Sequence, residues 1–307
     1  MVGFMDTQII SLTAEQKHFK QLMALGETYY PPEHSVHTEE FLKWFYLDNP
    51  MGAATLIVAH EGDLWIGLIA LIPIELKSSG KLQKACYAVN VLTHPEHRTK
   101  NLFSKMITYA RDLLSKKDIW LLGHPNASAM PFWKRKKMEF RETLSLYLAK
   151  IRVPFSSVKL KTVKNLDDLR TIPSEFWDDL NKREDFHVAY NPEFLGWRYL
   201  NAPHKKYRVV AVFKQGKLLG LRVTRQFKGP VDLMVDYIGT TSLLGEVLSS
   251  VQKPTLVMLA SHGEASLAVM KGCWKLPFKR EFPFFVTTWG QERRKDMSGI
   301  TLAASDF

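Results

Sequence analysis

The segment Thr38-Glu39-Glu40-Phe41-Leu42-Lys43-Trp44-Phe45-Tyr46-Leu47-Asp48-Asn49-Pro50 returns 153 residues later as Asn191-Pro192-Glu193-Phe194-Leu195-Gly196-Trp197-Arg198-Tyr199-Leu200-Asn201-Ala202-Pro203. Glu, Phe, Leu, Trp, Tyr, Leu and Pro recur in step, and without a gap Gly67-Leu68 falls on Gly220-Leu221. The two copies also agree in their physics. Thr38 and Asn191 are both good N-caps, Pro192 takes the first helical position, and glutamates follow where the helix dipole favours them. Phe41, Trp44 and Phe45 stand at core-facing helical spacing, which makes Trp44 and Trp197 core residues. Each helix is expected to stop at Pro50 or Pro203. A β-hairpin follows each time: 54–60 with 64–74, then 207–213 with 217–225. Register kept through cap, helix, stop and hairpin marks one fold unit used twice.

A chain of 307 residues has room for two such units. The repeat places them at 1–155 and 156–307, with the join between 153 and 163. Beyond its hairpin the first unit reads as a strand over 84–92 and an amphipathic helix from Leu102, with Met106, Ile107, Ala110, Leu113 and Leu114 on one stripe. A buried strand over 118–123, a helix capped by Asn126 or Ser128, and a closing strand over 143–153 complete it. The second unit repeats the plan with strands at 231–239, 255–260 and 282–289 and helices at 242–251 and 264–270. A polar tail begins at Gln291. The fold class is therefore mixed α/β, two tandem domains each with a mostly antiparallel sheet flanked by helices.

The formal net charge of +11 favours anionic partners. Its densest run, Lys134-Arg135-Lys136-Lys137, reads first as a solvated face. Cys86 and Cys273 are the only cysteines, so neither a disulfide framework nor a zinc pattern is present. No basic-then-apolar leader is visible, and the apolar run 64–74 is far shorter than the roughly 20 residues of a spanning helix. A cytoplasmic protein without membrane insertion is expected. Nothing in the sequence excludes a homo-oligomer.

Chemistry concentrates in Val89-Asn90-Val91-Leu92-Thr93-His94-Pro95-Glu96-His97-Arg98-Thr99-Lys100-Asn101-Leu102-Phe103. A strand ends, a loop turns, and a helix begins whose first amides have no internal partner, so the site suits an anion. Arg98 and Lys100 add full positive charge. His94 and His97 flank Pro95-Glu96, yet no third ligand of matching spacing suggests a metal. At the strand ends nearby, Glu75, Tyr87, Asn90 and His124 are candidate proton-transfer groups.

Arg98-Thr99-Lys100-Asn101-Leu102-Phe103 resembles the Gln/Arg-x-x-Gly-x-Gly/Ala loop of the GNAT acetyltransferase superfamily. Gly123-His124-Pro125-Asn126-Ala127-Ser128 followed by Phe132-Trp133-Lys134-Arg135 is similar to a second element of a bacterial subgroup that includes tandem-domain, amino-sugar and small-molecule acetyltransferases. The resemblance implies acetyl-CoA, or another acyl-CoA, bound through Val91, Thr93, Arg98, Thr99, Lys100, Asn101, Leu102, Phe103 and Asn126. It implies direct acyl transfer to a primary amine of a small molecule, such as an amino sugar or a phosphorylated nucleotide-sugar, with Glu75, Tyr87 and His124 as catalytic candidates. Asn101 stands where the family has glycine, and Trp133 stands near the family's proton-donating tyrosine. The second unit has Gly239-Thr240-Thr241-Ser242 in place of the loop, so the cofactor is expected in the first unit alone. Two other readings stay open: a non-catalytic acyl-CoA-binding protein of this fold, and a Fem-type transferase using aminoacyl-tRNA, for which no long helical arm is visible. Nucleic acid is otherwise not an expected partner.

Overall fold

A computed structural model describes residues 6–78, 80–126, 129–136, 138, 140–149, 158–183, 186–260, 273–275, 282–287 and 289. The first repeat opens with two elements the sequence pattern did not reveal, β1 (Gln8–Thr13) and α1 (Phe19–Glu27). Helix α2 (Glu39–Tyr46) begins where the cap predicts, Thr38 Oγ1 accepting from Phe41 N–H at 3.3 Å. It ends at Tyr46 rather than at Pro50, with Lys43 reaching over its C-terminus to Asp48 at 2.9 Å. Strands β2 (Thr55–Glu61) and β3 (Leu64–Ser78) form the expected hairpin. The next strand, β4 (Lys81–Thr93), pairs with β3 over most of its length, so both are longer than predicted. Helix α3 (Leu102–Ser115) buries Leu102, Met106, Ile107, Ala110 and Leu114 against Ile57, Ile66 and Ile69 of the sheet. Gly67 lets the helix pack close, since a Cβ on it would meet Met106 Cε at 2.9 Å and push that side chain aside. Then come β5 (Trp120–Gly123), α4 (Met130–Arg135) and β6 (Phe140–Ala149).

The second repeat runs β7 (Val158–Val163), α5 (Leu166–Arg170), α6 (Ser174–Asn181), β8 (His187–Val188) and α7 (Pro192–Leu195). Asn191 Oδ1 caps α7 through Phe194 N–H at 2.7 Å, as predicted, but the helix then widens into a π-helical turn over Gly196–Leu200. Next follow β9 (Tyr207–Lys214), β10 (Lys217–Lys228), β11 (Val231–Gly239), α8 (Leu244–Ser249), β12 (Thr255–Ala260), β13 (Cys273–Lys275) and β14 (Phe282–Thr287). The helix expected over 264–270 and the tail from 291 lie outside the described residues.

All described strands belong to one sheet, in the order β1-β2-β3-β4-β5-β14-β6-β12-β11-β10-β9-β7, with β13 on β6 and β8 on β3. The two repeats therefore exchange their last strands. β6, from the first, pairs antiparallel with β12 of the second through Thr255↔Ala149 to Ala260↔Leu144. β14, from the second, sits between β5 and β6. A cut between 155 and 156 separates sequence repeats, not closed sheets.

The repeats meet about a pseudo-twofold relation. Trp44 Nε1 donates to the Trp197 carbonyl at 2.7 Å, and Trp197 Nε1 donates to the Trp44 carbonyl at 2.8 Å. Residue i contacts j and j contacts i, the signature of an isologous contact. The two indoles stack with centroids 5.5 Å apart, and both are buried. One apolar core runs through both repeats from Ala14 to Val286.

Candidate active cleft

The parallel ladder between β4 and β5 holds only from Ala85↔Trp120 to Tyr87↔Leu122. Beyond it the two strands part. The cause lies in β4: the register against β3 slips between Leu68↔Leu92 and Ala70↔Val89, and Asn90 takes the left-handed conformation at φ 46. Such a bulge bends its strand and re-aims it. A cavity of about 430 Å³ opens between the strand ends, floored by residues 87–92 of β4 and by Gly123, His124, Pro125 and Asn126 after β5. Its outer wall comes from the connection between α1 and α2 and from α2 itself: Tyr29, Tyr30, His34, Phe41 and Phe45. Phe285 of the exchanged β14 is also part of the lining, and a Cβ on Gly123 would meet its ring at 2.8 Å.

Asn90 organises the floor. Its Oδ1 accepts from Tyr30 Oη at 3.0 Å, and its Nδ2 donates to Tyr46 Oη at 2.6 Å. Burial raises the pKa of Tyr30, with Tyr29 adding to the effect, and burial raises that of Tyr46 and carries Tyr87 well above the phenol range, against the pull of Arg198. These phenols keep their protons at neutral pH and act as donors. The Tyr87 and His124 rings lie near parallel, 6.2 Å apart. His34 stacks on Tyr30 at 4.3 Å. Burial lowers its pKa, helped by His37 and Lys205, and its Nδ1 accepts from Val36 N–H at 3.2 Å. The neutral ring therefore carries its proton on Nε2 and is a donor.

At the cavity mouth the chain passes from β4 into a 3₁₀ turn over Pro95–Lys100 and then α3. Asn101 sits between them in the left-handed region, φ 55 and ψ 34, the conformation a glycine would otherwise supply. The amides of Leu102, Phe103 and Ser104 begin the helix without intrahelical acceptors. Arg98 and Thr99 are exposed, and the Arg98 guanidinium lies 5.5 Å from the Tyr29 ring centroid.

The fold thus brings Tyr87, Asn90, Val91, His124 and Asn126 into one lining, with Arg98, Thr99, Asn101 and Leu102 continuing from it. Asn126 Oδ1 accepts from Ala129 N–H at 2.9 Å, part of the capping role expected of it. Ser128 lies outside the described residues. Four of the expected residues make other contacts in this structure. Glu75 is not in the cleft: it pairs with Lys84, three residues along β3 from the partner of Tyr87, about 10 Å away at the strand rise. Lys100 turns away to a salt bridge with Glu61, which also accepts from Thr7, and these bonds lower the Glu61 pKa. Thr93, expected to pair with a ligand arm, has its backbone N–H on Tyr29 Oη at 3.0 Å, and its carbonyl accepts from the same hydroxyl. Phe103 packs on Phe132 and Trp133, the latter buried under Phe285, so it anchors α4 rather than facing the cavity. The structure also gathers donor atoms of His94, Glu96 and His97 within 4.8 Å, a grouping their spacing did not show, though His94 Nδ1 already caps Glu96 N–H.

The aromatic wall was not foreseen. Its one signal is Tyr29-Tyr30 ahead of Pro31-Pro32, a stiff aromatic segment between helices. Cys86 is buried, and burial pushes its thiol up to about 12, which leaves no thiolate for nucleophilic catalysis. Among the described residues no helix is long and apolar enough to cross a membrane.

Residues 11–138 match the family model described as an acetyltransferase (GNAT) domain. No curated protein matches the chain. Among solved structures it is similar to a GCN5-related N-acetyltransferase from Anabaena variabilis ATCC 29413, with TM-score 0.67, 13% identity, and 92% of this chain and 73% of that one covered. A protein from Enterococcus faecalis V583, described as of unknown function and a probable N-acyltransferase, gives 0.70 at 13% identity, with 92% and 72% covered. A tandem GNAT protein from the clavulanic acid biosynthesis pathway gives 0.56 at 12% identity, with 94% and 100% covered. At these identities the likeness carries the fold. Residues 11–138 thus match a GNAT acetyltransferase domain, and the chain as a whole has the fold of two tandem GNAT domains.

Proposed function

We propose that this protein is an acyl-CoA-dependent N-acyltransferase that acts on the primary amine of a small molecule. The observation that carries the reading is the continuous path from the bulge at Asn90, along the edge of β4 that β5 leaves open, to the first amides of α3 beside Arg98. The residues fit the group. Val91 and its neighbours on β4 would hold the pantetheine arm, and the α3 amides with Arg98 would hold the pyrophosphate. Bound there, a thioester supplies an acyl group activated for attack by an amine. The chain's part is to position the amine, remove its extra proton and protonate what leaves. His124 is the proton acceptor in this reading, because the phenols of the cleft hold their protons. Tyr87 donates a hydrogen bond where charge develops, in the place the buried Trp133 cannot fill.

Among the described residues the cleft lining includes no Asp, Glu, Lys or Arg. That favours an amine on a neutral, ring-bearing body over a phosphorylated nucleotide-sugar. Titration with acetyl-CoA by calorimetry tests the reading. Arg98→Ala should weaken binding about tenfold, as expected for one charge-assisted phosphate contact. If wild type and variant bind alike, the assignment of the loop fails. An acceptor screen would follow, neutral amines against phosphorylated amino sugars, with turnover expected only for the first.

A further inference from the structure

The second repeat has a pocket of its own. It measures about 300 Å³ and lies where β9, β11 and β12 begin and β10 ends. Lys206, Arg208, Arg225 and Lys253 are in its lining, against the single carboxylate of Asp232. The turn at Gly229, φ 53, closes one side, with Gln226 Nε2 donating to the Gly229 carbonyl at 3.1 Å.

The arrangement is built from beneath. Arg208 pairs with Asp232, which is buried, and its Nε donates to Thr224 Oγ1 at 3.4 Å. Two residues along β10 from Thr224, on the same strand face, is Arg222, only 5% exposed. Arg222 Nη1 donates to Ser250 Oγ at 2.9 Å, while its buried Nε has no hydrogen-bond partner among the described residues. Desolvation first, and then the field of Arg208, lower the Arg222 pKa to about 10, with Asp232 opposing. One carboxylate thus pairs with Arg208 while the second guanidinium, Arg222, lies buried behind Thr224, and two lysines and Arg225 complete the cationic lining. Stacking so much like charge around a concavity is unfavourable unless an anion is there to share.

We propose that this pocket binds a small phosphate-bearing molecule, as a second ligand site separate from the acyl-transfer cleft. Five strand steps divide β4 from β11 in the sheet, roughly 24 Å at the usual strand spacing. The site therefore does not share the anion of the α3 loop. Arg208, held in place by Asp232 and Thr224, and Arg225 supply guanidinium donors, and Lys206 and Lys253 neutralise the remaining charge.

The test is calorimetry of the full chain with inorganic pyrophosphate. Lys206 and Lys253 are exposed, so the Lys206→Ala/Lys253→Ala double variant keeps the fold; Arg208→Ala would strand Asp232 and is avoided. The double variant should lose about tenfold in pyrophosphate affinity and none in acetyl-CoA affinity, and Arg98→Ala should do the reverse. This pattern separates the pocket from the cleft, whatever the fate of the acyltransferase reading. Pyrophosphate binding that disappears with Arg98→Ala and survives the lysine variant overturns the proposal, as does the absence of binding to the wild type. Binding of an RNA oligomer with steep salt dependence, and none of pyrophosphate, also overturns it and makes the face a polyanion surface.

Discussion

The bulge of β4 and the bulge of β11 hold the same device in two states. In the first repeat Asn90 is bonded by Tyr30 and Tyr46; in the second, Asp236 accepts from Tyr190 at 3.0 Å and from Tyr199 at 2.7 Å. Tyr46 and Tyr199 are equivalents in the repeat, as are Phe45 and Arg198. Where the first repeat has a phenyl ring and an amide, the second has a guanidinium and a carboxylate around one tyrosine: Arg198 lies 5.3 Å from the Tyr199 ring centroid. Both charged residues are almost fully buried, at 1% exposure each, while Asn90 is half-buried in an open cleft. The widened π turn over 196–200 carries Arg198, and such turns are costly irregularities kept where a side chain must be re-aimed. A binding floor needs neutral, shareable groups that a ligand can rebond. A buttress can commit its polar groups to one another. The second repeat has made that commitment, and it has no cationic loop after its bulge.

Four changes would break or sharpen the comparison. Trp44→Ala and Trp197→Ala should each destabilise by about 3–5 kcal/mol, as buried large-to-small changes do. Because the contacts are reciprocal the two losses should match in denaturant midpoint, and a marked inequality would refute the symmetric contact. Asp236→Asn should cost about 2–4 kcal/mol, since it removes a charged acceptor from buried hydroxyls. Acetyl-CoA affinity should stay unchanged. The reciprocal Asn90→Asp should cost only about 1 kcal/mol in stability, because solvent reaches the cleft, yet reduce kcat/KM about tenfold. Equal stability losses for the two exchanges would erase the distinction between floor and buttress. The smallest effect concerns acid. The folded-state pKa of His34 lies below the ordinary histidine value, so its contribution is complete above about 6.5 and is lost as pH falls below that toward the depressed value. The protection of the Val36 amide, which depends on unprotonated His34 Nδ1, should fall in that window by hydrogen exchange. Amides around Asp236 should keep theirs.

What the sequence showed was local or repeated. The duplication, both helix caps, the left-handed tolerance of Asn101 and the cationic loop are carried by short segments whose physics is self-contained. Glu75 falls outside the cavity lining because strand register, which puts it opposite Lys84, depends on a hairpin extending to Ser78. The strand exchange had no local sign at all: β6 and β14 read as ordinary closing strands, and only pairing with strands of the other repeat decides their neighbours. The same holds for Lys100, whose partner Glu61 lies on another hairpin.

The position of β14 has a bearing on how the protein is made. Synthesis runs from the N-terminus, and domains ordinarily close as they emerge. Here the cleft-bearing repeat cannot finish on its own schedule, because Phe285 and the strand that seals β5 are made only after most of the second repeat. Until then β5 presents an open edge, a template for pairing with a neighbouring nascent chain. A chain stopped before Phe282 would contain most of the cleft-bearing repeat and still no closed cleft, so only chains extended through β14 can acquire it.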